Sequence, residues 1–293
     1  MIDWASITNH IAEANGSPCA FKAAQSIAGG DINSAYILKA EDKTYFVKLN
    51  RASLLAMFEA ECAGLIELAL ANAVKVPKPV VFGVAAQQAF LVLDYIPLKS
   101  KTAQADILLG QQLAMLHQQI KPYFGWQQDN TIGSTAQLNR AKHHWVDFWR
   151  EQRLGFQLQL AAQNGFGGRL QTQGQQLQAD LEVFFNGFQP QPCLLHGDLW
   201  GGNAAADAAG QPVIFDPACY YGDRETDIAM TELFGGFGAD FYVAYNESYA
   251  LDVGFKVRKN LYNLYHILNH LNLFGGGYLG QAERSISLLL AEV

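Results

Sequence analysis

The chain has 293 residues, half of them hydrophobic, with 20 Lys and Arg against 27 Asp and Glu and a net charge of −7. This is enough apolar material for one large domain or two modest ones, and the acidic balance with no long basic run argues against nucleic acid or an anionic membrane as the main partner. The four cysteines, Cys19, Cys62, Cys193 and Cys219, lack CxxC spacing and predict buried thiols instead of a zinc site or a disulfide framework. The N-terminal MIDWASITNHIAEANG has no basic region followed by an apolar run, and no stretch approaches the roughly 18 apolar residues of a membrane span, so the reading is a cytoplasmic protein.

Ile2 to Ala14 is amphipathic with helical spacing. SIAGGDINSAYILKA then predicts a glycine-containing turn between two short extended pieces, and TYFVKLN a strand with Lys48 near its end. Ser53 to Ala71, with apolar residues at i, i+3 and i+4, predicts a helix capped by Ser53; after VPKP come two more strands, VVFGVA and AFLVLDY. Beyond Ser100 the pattern turns helical: Ala103 to Gln119, about Leu138 to Gln163, Arg169 to Phe185, Arg224 to Phe234 and Leu261 to Leu273. Between them, CLLHG and PVIFD are short extended runs flanking a polar loop. The expectation is an α+β chain of two lobes, a small β-rich lobe over residues 1–95 and a mainly helical lobe over residues 96–293, with the boundary near Tyr95 to Lys99.

The polar loop is LLHGDLWGGN, Leu194 to Asn203. Asp198 and Asn203 stand five positions apart, the Asp-to-Asn spacing of the H-R-D-x-x-x-x-N loop of protein kinases, and Asp216 ends the apolar run of FDPA. Phosphoryl transfer requires such a set: a carboxylate to orient the acceptor hydroxyl and take its proton, and oxygen ligands to hold Mg2+ on nucleotide phosphates. Asp198 is then the base, with Asn203 and Asp216 as metal ligands, and His196 a structural hinge of the loop. Taken one at a time these residues fit a polar turn equally well; the ordered set between two apolar strands is what points to chemistry.

A kinase needs a cation on the nucleotide, and Lys48 sits late in an apolar strand as the VAIK lysine does, although alone it also reads as a strand-edge lysine. Glu59 and Glu61 on the following helix are the candidates to hold it, with Glu61 preferred and Glu59 facing solvent. Gly29 and Gly30 of AGGDINSAYIL suit a nucleotide-covering loop, or a plain hairpin turn, since neither GxGxxG nor GxxxxGK[ST] is present. Leu93 to Ile96, including Asp94, Tyr95 and Ile96, lies at the lobe boundary and is the candidate adenine-contacting hinge, acting through backbone groups.

Together HGDLWGGN, FDPACYYGDRETDIAMTELFGGF and FGWQQDNTIGSTAQLNRAKHHWVDFWREQRL resemble the fructosamine kinase (ketosamine-3-kinase) family, over nearly the whole chain. HGD with an Asn five later belongs to the wider superfamily of protein-kinase-like folds that includes aminoglycoside phosphotransferases and choline kinase; HGDLWxGN followed by DPAxxYGxxExD carries the narrower resemblance. It implies a two-lobed protein-kinase-like fold and ATP- and Mg2+-dependent phosphorylation of the 3-hydroxyl of a ketoamine sugar on a small amine or a glycated protein. The product is unstable and releases the amine, which makes the reaction a deglycation step. Carried over, Asp198 is the base, Asn203 and Asp216 the Mg2+ ligands, Lys48 the phosphate-binding lysine and Glu61 its partner. Two positions depart from the pattern: Ala136 in GSTAQ, where proline is common, and Asp31 in the glycine loop, where some members have cysteine.

For the acceptor, Trp200 beside the base reads either as a stacking surface for a sugar or as a lobe-packing aromatic. Trp145, Phe148 and Trp149 at helical spacing read as core. Asp223, Glu225 and Asp227 follow the metal aspartate; such carboxylates attract an amine or cap a helix, with Asp223 read as the cap and Glu225 as a substrate candidate. Two rivals stand: the same fold acting on an aminoglycoside, choline or another amino alcohol, and a nucleotide-binding scaffold without turnover. The scaffold reading requires loss of a base or metal ligand, and Lys48, Asp198, Asn203 and Asp216 are all present.

Overall fold

The computed structural model describes residues 2–27 and 32–293. Its N-terminal part contains α1 (Trp4–Asn15), β1 (Phe21–Ile27), β2 (Ser34–Ala40), β3 (Thr44–Arg51), α2 (Leu55–Leu70), β4 (Pro79–Ala85) and β5 (Gln88–Asp94). The five strands form one antiparallel sheet in the order β1-β2-β3-β5-β4. Alternation along the strands sends successive side chains to opposite faces. Val47, Leu49, Phe90 and Val92 pack with Ile7 and Ile11 of α1, whereas Ala89, Leu91 and Leu93 pack with Met57, Phe58 and Leu65 of α2. Full burial of Phe58 and of Phe90 stabilises the two layers by about 1.5–3 kcal/mol each. Lys48 lies between Val47 and Leu49 and so turns to the α2 side of the sheet.

A short 3-10 turn, Ala52–Leu54, precedes α2, and no side-chain cap is made there, so Ser53 does not cap the helix as its sequence context suggests. Beyond β5 come α3 (Ala103–Leu116), β6 (Asn130–Ile132), β7 (Thr135–Gln137), α4 (Trp145–Trp149), α5 (Phe156–Gln163) and α6 (Arg169–Asp180). Then follow β8 (Cys193–Leu195), β9 (Ala204–Ala206), β10 (Pro212–Ile214), β11 (Tyr220–Gly222), α7 (Glu225–Leu233), α8 (Ala239–Ser248), α9 (Phe255–Phe274) and α10 (Leu279–Leu290). The helix expected from Leu138 begins only at Trp145, because the backbone before it is engaged elsewhere: Leu138 O accepts from Arg153 and Asn139 O accepts from Trp126 N. From Trp145 to Gln163 the helix runs through a π-helical turn at Arg150–Gly155.

One large core joins these helices, with Trp145, Phe148 and Trp149 inside it as read from their spacing. The small ladders β8–β11 and β9–β10 bound the loops that carry Asp198, Asn203 and Asp216, and β6–β7 forms a separate hairpin. Among the described residues no helix is long and apolar enough to cross a membrane. All four cysteines are free thiols, three of them buried, and burial raises the pKa of each.

Candidate active site

A cleft of about 870 Å3 opens between the sheet and the helical part. Lys48, Glu61, Asp94, Tyr95, Ile96, Asp198, Trp200, Asn203 and Asp216 all line it. Gly29 and Gly30 lie outside the described residues.

Lys48 Nζ donates to Glu61 Oε1 at 2.7 Å and to Asp216 Oδ1 at 2.6 Å. Glu61 faces the lysine because it shares a helical stripe with Phe58 and Leu65, three residues before and four after; Glu59 falls on the exposed face. Burial alone lowers the pKa of Lys48, but Asp216 and Glu61 outweigh it and hold the ammonium above its ordinary range. Burial raises the carboxyl of Glu61, with Lys48 opposing.

His196-Gly197-Asp198 follows directly on β8, and the chain turns there on Gly197, with φ +82°. A side chain at that position would run into Ala218 O. His196 is fully buried; its Nε2–H donates to Phe215 O at 2.9 Å, and its Nδ1 accepts from Asp198 N at 3.2 Å. The carbonyl partner can only accept, which fixes the tautomer, and burial lowers the pKa of the ring so that it stays neutral. The imidazole therefore ties the loop of Asp198 to the loop of Asp216 and is not itself presented to a reactant.

Asn203 Nδ2 donates to Asp198 O at 2.8 Å and to Asp198 Oδ2 at 3.1 Å. Committing its amide nitrogen this way leaves the amide oxygen as the atom Asn203 can offer a cation. Enclosure by protein, followed by the charge of Asp216, pushes the Asp198 carboxyl up to about 7 against the opposing Asn203 bond. A carboxylate so placed is poised to take up a proton near neutrality. Asp216 sits at φ +58° with its side chain 44% exposed to the cleft.

Asn203 and Asp216 present only oxygen donors, the chemistry Mg2+ selects. Among the described residues no cluster of three or more His, Cys, Asp or Glu forms a metal cage. Mg2+ on a nucleotide is held by one or two carboxylates together with phosphate oxygens and water, so this donor set fits the ion.

In the sequence Asp227 reads equally as an amine-attracting carboxylate and as a helix cap. In the fold its Oδ2 accepts from His196 N and its Oδ1 from Gly197 N, both at 2.8 Å, and His117 Nε2 lies 3.2 Å from Oδ2. Burial works to raise its carboxyl, but His117, His196 and the backbone donors hold it below the ordinary range. Asp227 thus clamps the backbone of the Asp198 loop from behind; the only signal in the sequence was its place in the first turn of a helix following FDPA. Asp223 Oδ1 accepts from Glu225 N at 3.0 Å, and Asp223 O accepts from Thr226 N, which makes it a cap at the start of α7.

Glu225 is a correction. It is wholly buried and pairs with Arg258 through two bonds of 2.8 and 3.0 Å, away from the cleft, so it is not available to a substrate. The cleft carries an aromatic wall instead. Trp200 is 40% exposed and stands edge-on to Phe234, at 6.4 Å between ring centroids, and Phe234 packs on His270 at 4.7 Å.

The profile of the fructosamine kinase family matches residues 3–292. A Synechocystis protein named "Probable ketoamine kinase" is 44% identical over 288 residues, covering 98% of this chain and 97% of its own. The chloroplastic protein-ribulosamine 3-kinase of Oryza sativa subsp. japonica is 41% identical over 88% of this chain and 75% of its own. Among solved structures, a candidate fructosamine-3-kinase from Haemophilus somnus superposes with a TM-score of 0.90 at 32% identity, covering 98% of this chain and 97% of its own. At 12% identity and a TM-score of 0.63, over 99% of both chains, the aminoglycoside phosphotransferase APH(4)-Ia shares the fold alone. The two-part architecture is therefore the protein-kinase-like fold of these phosphotransferases, and the chain belongs to the fructosamine kinase family.

Proposed function

We propose that the protein is an ATP-dependent kinase that phosphorylates the 3-hydroxyl of ketoamine sugars, fructosamines or ribulosamines, on small amines or glycated proteins. Family membership and relatives named ketoamine kinase and ribulosamine 3-kinase support the reaction class. The observation that carries the site is that Asp198, bonded to Asn203, and the Lys48–Asp216 pair line one cleft.

In this reading the nucleotide lies between the lobes of residues 1–95 and 96–293. The backbone N–H of Asp94 already donates to Lys78 O, so contact with the base falls chiefly to Tyr95 and Ile96 along the hinge. Lys48, oriented by Glu61, holds phosphate oxygens. Asn203 and Asp216 hold Mg2+, which neutralises charge on the phosphates when bound. Trp200 offers its face to the sugar. Asp198 orients the 3-hydroxyl and takes its proton as the oxygen bonds to the γ-phosphorus; the bond from that phosphorus to the bridging oxygen breaks, and ADP leaves with the electron pair. The chain contributes mostly position and electrostatics, which is where this chemistry gains its rate. The free thiols fit a reducing compartment, and we place the protein in the cytoplasm.

The test is ATP consumption with Mg2+ against fructoselysine, ribuloselysine, an aminoglycoside and choline. Turnover confined to the ketoamines is expected; turnover on choline or the aminoglycoside instead would overturn the acceptor class.

A further inference from the structure

Asp216 adopts φ +58°, a left-handed conformation that a non-glycine residue keeps only when its surroundings impose it. The surroundings are specific. Directly after Asp216, Ala218 O accepts from Gln137 Nε2 at 3.0 Å and Cys219 O accepts from Asn130 Nδ2 at 2.8 Å. Ala218 N donates to His196 O at 2.9 Å.

Gln137 is itself fixed on every side. Its second amide hydrogen goes to Asn130 Oδ1 at 2.8 Å, and its Oε1 accepts from Tyr265 OH at 2.8 Å. Asn139 Nδ2 adds a second bond to Asn130 Oδ1 at 3.0 Å. Gln137, Asn130 and Tyr265 are all buried, and because a backbone carbonyl can only accept, both amides have one orientation. Buried polar groups satisfied this completely specify geometry.

These amides sit on β6 and β7, and the same hairpin presents Thr131, Ile132 and Gly133 to the cleft. On the opposite side α2, the helix of Glu61, packs its Gly64 against Cys219. The Asp216 loop is thus gripped between the helix that orients Lys48 and a hairpin whose other edge is cleft wall.

We infer that Gln137, held by Tyr265 and Asn130, is a positioning residue that sets the Asp216 carboxylate for the magnesium–nucleotide complex. It touches neither reactant and acts through the backbone of Ala218. The inference rests on the assignment of Asp216 as a magnesium ligand.

The experiment is calorimetric titration of the full chain with ADP, with and without Mg2+, alongside thermal unfolding of each nucleotide-free variant. Gln137→Met keeps the side-chain length and removes the amide; Tyr265→Phe removes only the hydroxyl that orients it; Asp216→Asn is the control. A group bonded directly to a metal ligand is worth roughly 10–100-fold in metal affinity, and Gln137, acting one step further through the Ala218 backbone, falls at the low end. Gln137→Met should therefore weaken Mg2+-dependent ADP binding by about tenfold, while metal-free ADP binding stays within about twofold, and Tyr265→Phe should shift it the same way by a smaller factor. A purely structural role would lower the unfolding temperature and leave the magnesium dependence alone. The inference is overturned if Asp216→Asn loses the magnesium enhancement while the folded Gln137→Met keeps it; should Gln137→Met not fold, Tyr265→Phe decides by the same criterion. If Asp216→Asn retains the enhancement, the magnesium assignment beneath the inference fails.

Discussion

The Lys48 ammonium lies 2.6 Å from the Asp216 carboxylate, a contact between residues 168 positions apart that joins the sheet to the helical part across the cleft. With Glu61 on its other side, the lysine stands between two carboxylates, and it is almost wholly buried. Removing one partner of a buried pair leaves uncompensated charge and costs roughly 3–5 kcal/mol. Lys48→Met should lower stability by about 3 kcal/mol at pH 8. The loss should be smaller at pH 5, where the raised carboxyl of Glu61 can protonate. Urea unfolding at the two pH values checks this; an equal loss at both would contradict it.

Trp200 stands at the rim of the cleft, 40% exposed, with its ring over Gly202 and edge-on to Phe234. Trp200→Ala should raise the KM for a ketoamine by about tenfold, the scale of one lost aromatic contact, and leave the KM for ATP unchanged. Steady-state kinetics with each substrate varied in turn would show it, and a rise in the ATP constant instead would make Trp200 a lobe-packing residue.

Glu225 and Arg258 form a buried ion pair, to which Asp252 adds a contact of 2.6 Å with Arg258. Glu225→Gln should lower the unfolding temperature and leave the ketoamine KM at its wild-type value. A raised KM at unchanged stability would restore the residue to the substrate site.

Asp223 supplies a pH dependence. Burial, followed by the nearby Glu225, raises its carboxyl to about 7, against 3.8 for an ordinary aspartate. Between those values the folded protein holds a proton that the unfolded chain has released, so this group's contribution to stability falls as pH rises through the window. Asp223→Asn cannot titrate. Wild-type stability relative to that variant should therefore decrease from pH 5 to pH 8, as measured by urea midpoints; an increase would reverse the assigned direction.

Much of this was legible in the chain. Alternating apolar residues mark the strand of Lys48, and a three- and four-residue stripe singles out Glu61 over Glu59, so local periodicity alone brings that pair together. Asp198, Asn203 and Asp216 stand out because polar residues at fixed spacing interrupt apolar runs. Long-range partners leave no such trace: nothing near Glu225 announces Arg258, 33 positions away, and nothing near Asp227 announces the backbone N–H groups it receives. The stripe of Phe241, Ala244 and Tyr245 on α8 is helical in spacing too, but it is short and follows the glycines of FGGFG, and the expected elements pass over it. The stripe of Ala282, Ile286 and Leu289 on α10 is helical in spacing and was readable, though the expected elements end before it. Asn130 and Gln137 read as ordinary polar hairpin residues, because their partners are carbonyls more than 80 positions away.

The central claim is that Asp198 takes the proton of the acceptor hydroxyl, and the most direct test is single-turnover phosphorylation of fructoselysine by wild type and Asp198→Asn, with nucleotide affinity measured on both. The substitution preserves shape and removes the base. The account predicts a rate lower by about 100- to 10,000-fold with nucleotide affinity unchanged. A variant that transfers phosphate at the wild-type rate would contradict it.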